Sequence, residues 1–239
     1  MVLRAVRPVP TFTHTPMFRA TIFLLTLFTA VHTLARSLSA TERRMVDQGM
    51  VLVTDVDSTI RVSLMYARPD NFCHAVLYTD LRHAFLHPKA ARALKQAQEY
   101  LKEIDPTLSL IIFDACRPMS VQQQMWDRLK NTPQRDYVSN PASGGGLHNY
   151  GMAVDVSICS FSGDTITMGV PVDNMDSRSH IDHEEDLVER GLISEEALRN
   201  RRLLRQVMRR AGFTPIRTEW WHFNLVSRQV ARRSYKYVE

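Results

Sequence analysis

Apolar residues recur at helical intervals from Pro88 to Ile104, where Ala91, Leu94, Ala97 and Leu101 share one face and Asp105-Pro106 ends the run. This pattern predicts a helix over 88–104. Leu108 to Phe113 is a short continuous apolar run ahead of Asp114 and predicts a buried strand. Helical spacing resumes from Ser120 to Leu129. Ala153-Val154-Asp155-Val156-Ser157-Ile158 alternates, with the β-branched richness of a strand over 153–161. Ser162-Gly163-Asp164 then predicts a hairpin turn into a strand over 165–168. Ser194, followed by Glu195 and Glu196, caps a helix that runs through Leu198, Leu203, Leu204 and Val207 to Ala211-Gly212. Phe213 to Ile216 and Trp220 to Val226 predict two more strands. Upstream, 41–49 reads as a short helix, Met50 to Tyr66 as one or two strands around a turn at Asp57-Ser58, and 68–71 as a turn. Asn131 to Asn149 and Gly169 to His183 read as loops. The expected fold is α+β: a single domain with helices packed on a mostly antiparallel central sheet.

The amino terminus changes that picture. Ala20 to Val31 is an apolar run of the length of a signal-peptide core, preceded by Arg19 and followed by the small-residue stretch Thr33-Leu34-Ala35. We expect residues 1–35 to be a signal peptide, with Met17 as an alternative start, and 36–239 to be the mature domain. The protein is then exported, periplasmic or secreted, with no stable membrane association after cleavage. The competing reading is an uncleaved anchor. Of the formal charge of +5, Arg4, Arg7 and Arg19 belong to this segment, which leaves 27 basic against 25 acidic residues in the body. A nearly neutral body gives no nucleic-acid signal. Cys73, Cys116 and Cys159 are read as structural, with no pairing assigned.

The candidate chemistry lies in two stretches. Gly144-Gly145-Gly146-Leu147-His148 places an imidazole after three glycines, and Asp155 follows seven residues later on the predicted strand. Residues an odd number apart on one strand face opposite ways, so a bend near Gly151 is needed for the two to converge. Thr218-Glu219-Trp220-Trp221-His222 supplies a second imidazole and another acid. Two histidines and an aspartate are a sufficient set for a catalytic zinc, which keeps a position for water. Glu219 is left over beside a ligand, free to move a proton. Arg117, at the end of a buried strand and fixed by Pro118, reads either as a salt bridge at the corner or as a functional cation. Trp220 and Trp221 read as core and pocket wall, and the acids from Asp182 to Asp186 as a helix start or a solvated face.

These residues resemble the D-Ala-D-Ala dipeptidases of the vancomycin-resistance type and, more distantly, the zinc D,D-carboxypeptidases. The matching elements are Asp114-x-x-Arg117-Pro118, His148-x-x-Gly151-x-Ala153-x-Asp155, Met168-Gly169 with Asp173, Ser179-His180, and Glu219-Trp220-Trp221-His222. The resemblance implies one zinc ion per chain, held by His148, Asp155 and His222. It implies Glu219 as the general base acting on a zinc-activated water, and Arg117 stabilising the oxyanion. The expected substrate is the D-Ala-D-Ala dipeptide, with a role in cell-wall peptide turnover, and oligomeric state is left open. Such a dipeptide is a zwitterion, and Asp173 is the candidate for its ammonium. The family often has serine two residues before the first ligand, where this chain has Gly146. Backbone N–H groups of the glycine loop are the candidates to hold the substrate carboxylate there instead. His180 is a candidate to orient a ligand. The rival function is a D,D-carboxypeptidase or endopeptidase acting on peptidoglycan stem peptides, which calls for an open groove where a dipeptidase calls for a closed pocket.

Overall fold

The computed structural model describes residues 37–239, so the expected export segment lies outside the described residues. Ser39 opens α1 (Ala40–Asp47) with a reciprocal cap, its hydroxyl accepting from the Glu42 N–H while the Glu42 carboxylate accepts from the Ser39 N–H. β1 (Val51–Leu52), a single helical turn α2 (Val53–Val56) and β2 (Arg61–Val62) follow. β3 (Phe85–Leu86) pairs antiparallel with β1 in a separate two-stranded sheet. α3 (Pro88–Ile104) has the bounds expected of it, with Pro88 in its first turn and Ala90, Leu94, Ala97 and Leu101 buried. Then come β4 (Leu108–Asp114), α4 (Met119–Arg128), β5 (Ala153–Ser160), α5 (Glu184–Glu189), α6 (Glu195–Arg210), β6 (Thr214–Ile216) and β7 (Glu219–Asn224). α7 (Arg228–Ser234), capped by the Ser227 hydroxyl, was not expected from the sequence.

The main sheet has the order β2-β4-β5-β7-β6. It is mixed rather than mostly antiparallel, because β2 runs parallel to β4. The cause is the connection between them: it passes through α3, and a helical crossover returns the chain in the same direction. The strand expected over 165–168 is also absent, and only Thr165 bridges to Cys159. The carbonyls that would continue that ladder are taken by α6, since Asn200 Nδ2 donates to Thr167 O at 2.8 Å and Arg201 Nε to Met168 O at 2.7 Å.

α3 and α6 pack on each other and on β4 and β5. β5 is buried along its length as far as Cys159, with Val154, Val156 and Ile158 in the core. All three cysteines are buried and free. Among the described residues no helix is long and apolar enough to cross a membrane.

Candidate metal centre

Strand register builds the site. Asp155 on β5 is the partner of His222 on β7 and of Asp114 on β4. Directly paired residues of antiparallel strands project to the same side, so the three side chains form one row across the sheet. Asp114 joins that row through the register shift between Ile112 and Asp114. His148 reaches the row from a 3-10 turn over Leu147–Tyr150 that closes at Gly151, with φ +62°. A β-carbon at Gly151 would lie 2.7 Å from the His87 backbone nitrogen, so the bend requires glycine. The expected break between His148 and Asp155 is therefore present.

His148 Nε2, His222 Nδ1 and Asp155 Oδ1 form a triangle with edges of 3.1, 3.3 and 3.0 Å. Ligands bound at about 2.0–2.1 Å around a tetrahedral zinc stand roughly 3.3 Å apart, so the triangle has the right size. The two outer ring nitrogens are already engaged, His148 Nδ1 with Ala115 O at 2.7 Å and His222 Nε2 with Asn224 Oδ1 at 2.9 Å. Both partners are oxygen acceptors, so the outer nitrogens carry protons and the inner ones present lone pairs to a carboxylate oxygen. Three electron-rich atoms at this spacing call for a cation. A proton is the simplest cation to answer that demand. Burial lowers the affinity of His222 for a proton, but the hydrogen bond and charge of Asp155 outweigh it and raise its pKa to about 9. For Asp155, burial works to raise the carboxyl, yet His148 and His222 hold it far below the usual carboxylate range.

Glu219 begins β7 opposite the register shift between Pro215 and Ile216. That irregularity brings its Oε2 to 3.9 Å from His222 Nδ1, although the two residues are three apart on a strand. Burial raises the Glu219 carboxyl above its ordinary range. Arg117 forms a salt bridge, one of the two readings open from the sequence, donating to Asp114 Oδ2 through Nε at 2.9 Å and Nη2 at 2.5 Å, and it also lines the cavity in front of the triangle. Tyr78 donates its hydroxyl to the other Asp114 oxygen at 2.5 Å.

That cavity encloses about 1030 Å³ and is walled by His148, Asp155, Glu219 and His222 together with Asp173 and Gly146. The site residues expected from the sequence thus meet in one place. Asp173 is half-buried, in the left-handed region at φ +71°, and accepts from Phe72 N–H at 2.8 Å and the Tyr66 hydroxyl at 3.1 Å. The N–H of Gly146 is committed to Asn149 Oδ1 at 2.8 Å, and those of Gly144 and Gly145 to Pro141 O and Asn140 O. None of the three N–H groups is left for a ligand, so the glycine loop does not offer the anion cradle expected of it. His180 Nε2 is buried and has no hydrogen-bond partner among the described residues, so it orients none of His148, Asp155 and His222 through that atom.

Sequence reasoning missed the supporting residues. Asn149 is fully buried and donates to Arg117 O at 2.9 Å, which ties the histidine turn to the arginine corner. Its only signal is its place beside His148. Asp114 was legible as part of a motif but not as the arginine's anchor.

A mixed α/β domain whose cavity wall gathers two histidines and a carboxylate, with a second carboxylate beside them, has the donor set of a metal-dependent hydrolase. The model of the D-Ala-D-Ala dipeptidase family, peptidase family M15, matches residues 46–239. The chain belongs to this family of metallopeptidases. It is 32% identical to the D-alanyl-D-alanine dipeptidase of Escherichia coli over 166 residues, 70% of this chain and 79% of that protein. It is 28% identical to the protein of the same name from Enterococcus faecalis over 200 residues, 75% of this chain and 93% of the relative. A further D-alanyl-D-alanine dipeptidase, from Enterococcus faecium, is 36% identical over 92 residues, 38% of this chain and 40% of the relative.

Proposed function

We propose that this protein is an exported zinc dipeptidase that hydrolyses D-Ala-D-Ala and serves cell-wall peptide turnover. The observation that carries the zinc reading is the triangle of His148, Asp155 and His222, whose outer nitrogens are satisfied and whose inner atoms stand at ligand spacing. The substrate comes from the names of the relatives, and export from the amino-terminal apolar run.

Zinc, when bound, supplies Lewis-acid polarisation and a nucleophile at neutral pH. Glu219 takes a proton from the attacking water as its oxygen bonds to the peptide carbon. It returns the proton to the leaving amine as the C–N bond breaks. The raised carboxyl of Glu219 suits both directions of transfer. Arg117 is permanently cationic, and its link to Asp114 holds its head rigidly where charge builds on the carbonyl oxygen. Asp173 receives the substrate ammonium at the Tyr66 side of the cavity.

A second reading draws on the cavity itself. At about 1030 Å³ it is at the top of the usual range for small-ligand pockets and has room for more than a dipeptide. That favours a D,D-carboxypeptidase or endopeptidase acting on stem peptides by the same chemistry. One assay separates the two. The full-length protein is given D-Ala-D-Ala, L-Ala-L-Ala and a D-Ala-D-Ala-ended pentapeptide, with zinc, with a chelator, and as Glu219→Ala. Chelator-sensitive cleavage of the D,D-dipeptide alone is the expected result. Cleavage of the pentapeptide instead moves the protein to the second reading. Turnover that survives the chelator and Glu219→Ala rejects the mechanism.

A further inference from the structure

One side of the cavity carries a cation that the mechanism above leaves unused. Arg228, the first residue of α7, is exposed and lines the cavity. Its Nη2 donates to Ser139 Oγ at 2.9 Å, and no carboxylate among the described residues pairs with it. Arg117, by contrast, is paired with Asp114 and assigned to the carbonyl oxygen. An uncompensated guanidinium on the wall of a peptide-sized cavity is suited to an anionic group of the substrate.

Ser139 connects that cation to the glycine loop. A β-carbon built on Gly146 would come within 3.0 Å of Ser139 Oγ and 3.3 Å of Ser139 Cβ. The Ser139 hydroxyl therefore fills, from seven residues earlier in the same connection, the space that a side chain at position 146 would occupy. The three glycine N–H groups are spent inside their own turns, so an anion arriving there finds Ser139 and Arg228 rather than the backbone.

A line of contacts links the charges that face the cavity. The Tyr66 hydroxyl donates to Asp173, and the Arg117 guanidinium stands 5.0 Å from the centre of the Tyr66 ring. Arg117 Nη1 donates to Gln122 Oε1 at 3.0 Å, and Gln122 Nε2 donates to Ser139 O at 2.9 Å. Along this line an acid stands at one end, a free cation at the other, and the arginine beside the metal triangle between them. A zwitterionic dipeptide has the same polarity, with its ammonium and carboxylate on either side of the scissile amide.

We infer that Arg228, steadied by Ser139, binds the C-terminal carboxylate of the substrate, so that this chain selects peptides with a free carboxyl end. The inference rests on the peptidase reading of this cavity, and it holds for a dipeptide or a longer D-Ala-ended peptide alike. Because Arg228 is exposed, its effect is moderate and screened by salt.

The test compares D-Ala-D-Ala with its C-terminal amide, using the full-length zinc-loaded protein and its Arg228→Gln, Arg228→Lys and Ser139→Ala variants. Arg228→Gln is expected to raise KM for the acid on the order of tenfold while kcat moves by less than about twofold. The preference for acid over amide should fall by the same factor. Arg228→Lys should recover part of it, Ser139→Ala should lose a smaller part, and the gap between parent and Arg228→Gln should narrow in high salt. Calorimetric binding of D-Ala-D-Ala to Glu219→Ala protein should weaken in parallel when Arg228→Gln is added. Dipeptide cleavage with the acid-over-amide preference intact in Arg228→Gln overturns this inference alone. A parent protein that neither cleaves nor binds D-Ala-D-Ala or a D-Ala-ended peptide overturns the peptidase reading, and this inference with it.

Discussion

Two buried acid–arginine clusters sit in this domain, and they do different work. In the first, Asp114 holds Arg117 beside the metal triangle, and the cluster opens onto the cavity. In the second, Glu184 on α5 is buried against Arg201 and Arg205 of α6. Arg201 has no exposed surface; it donates to Met168 O at 2.7 Å and Arg178 O at 3.0 Å and stands 5.7 Å from the Trp220 ring centre. This second cluster is sealed, with its arginine satisfied on every side, and it clamps α5, α6 and the loop before them. A buried ion pair is therefore no sign of chemistry in itself, because structural networks use the same parts. The first cluster differs in two respects. It has an open face, and its neighbours Glu219 and His222 are both pushed away from their ordinary protonation.

The sharpest separation comes from Glu219→Gln. It should lower kcat by roughly 10²–10⁴, the worth of a positioned proton carrier. Thermal stability should hold or rise, because an amide carries no charge to bury. A fall in melting temperature without a loss of rate would place Glu219 in the sealed kind of cluster. The next contrast exchanges the two arginines. Arg117→Ala should reduce kcat/KM by about 10²–10³ and also destabilise, since Asp114 is left buried without its partner. Arg201→Ala should cost roughly 3–5 kcal/mol of stability, with kcat per folded molecule unchanged. Chemical denaturation beside steady-state kinetics reads both. An Arg201 variant that melts normally but turns over slowly would erase the distinction.

The outer supports of the triangle give a smaller effect. Asn224 Oδ1 fixes the His222 ring from behind, and Asn224→Ala should weaken metal affinity about 10–100-fold, measured by competition with a chelating dye.

The same contrast explains what the sequence could reveal. The grouping of His148, Asp155 and His222 was legible because a metal-type donor set restricts both residue type and spacing, and α3 because seventeen residues repeat one period. The second cluster was not. Glu184 read as a helix start or a solvated face, because its partners lie 17 and 21 residues away on another helix, beyond any local pattern. β1, β2 and β3 are two residues each, too short to show alternation, so neither their pairing nor the parallel edge could be read. α7 has seven residues, of which only Ala231 is buried, and carries no apolar stripe to announce it. Ser139 lay in a loop without period, and only the fold sets it beside Gly146.

Asp173 tests the comparison from a third side, since it is an acid in the cavity wall that no arginine among the described residues pairs with. Burial lifts its carboxyl to about 7, and the hydrogen bonds from Phe72 and Tyr66 only partly oppose the rise. In the unfolded chain an aspartate titrates near 3.9. The folded protein thus holds a proton over a window in which the unfolded chain has released it, and stability present below about pH 4 is lost as pH rises to about 7. Asp173→Asn has no such proton. Its melting temperature relative to the parent should climb from pH 4 to pH 7 and then level off, as differential scanning fluorimetry across that range will show. Function should run the other way. The ionised carboxylate is the form that attracts an ammonium, so KM of the parent for D-Ala-D-Ala should fall as pH rises towards 7. In Asp173→Asn it should be several-fold higher and lose that limb, and the N-acetyl dipeptide, which has no ammonium, should show neither change. If the variant keeps both the pH limb and the preference for a free amine, Asp173 belongs with the sealed cluster, and another group reads the amino end.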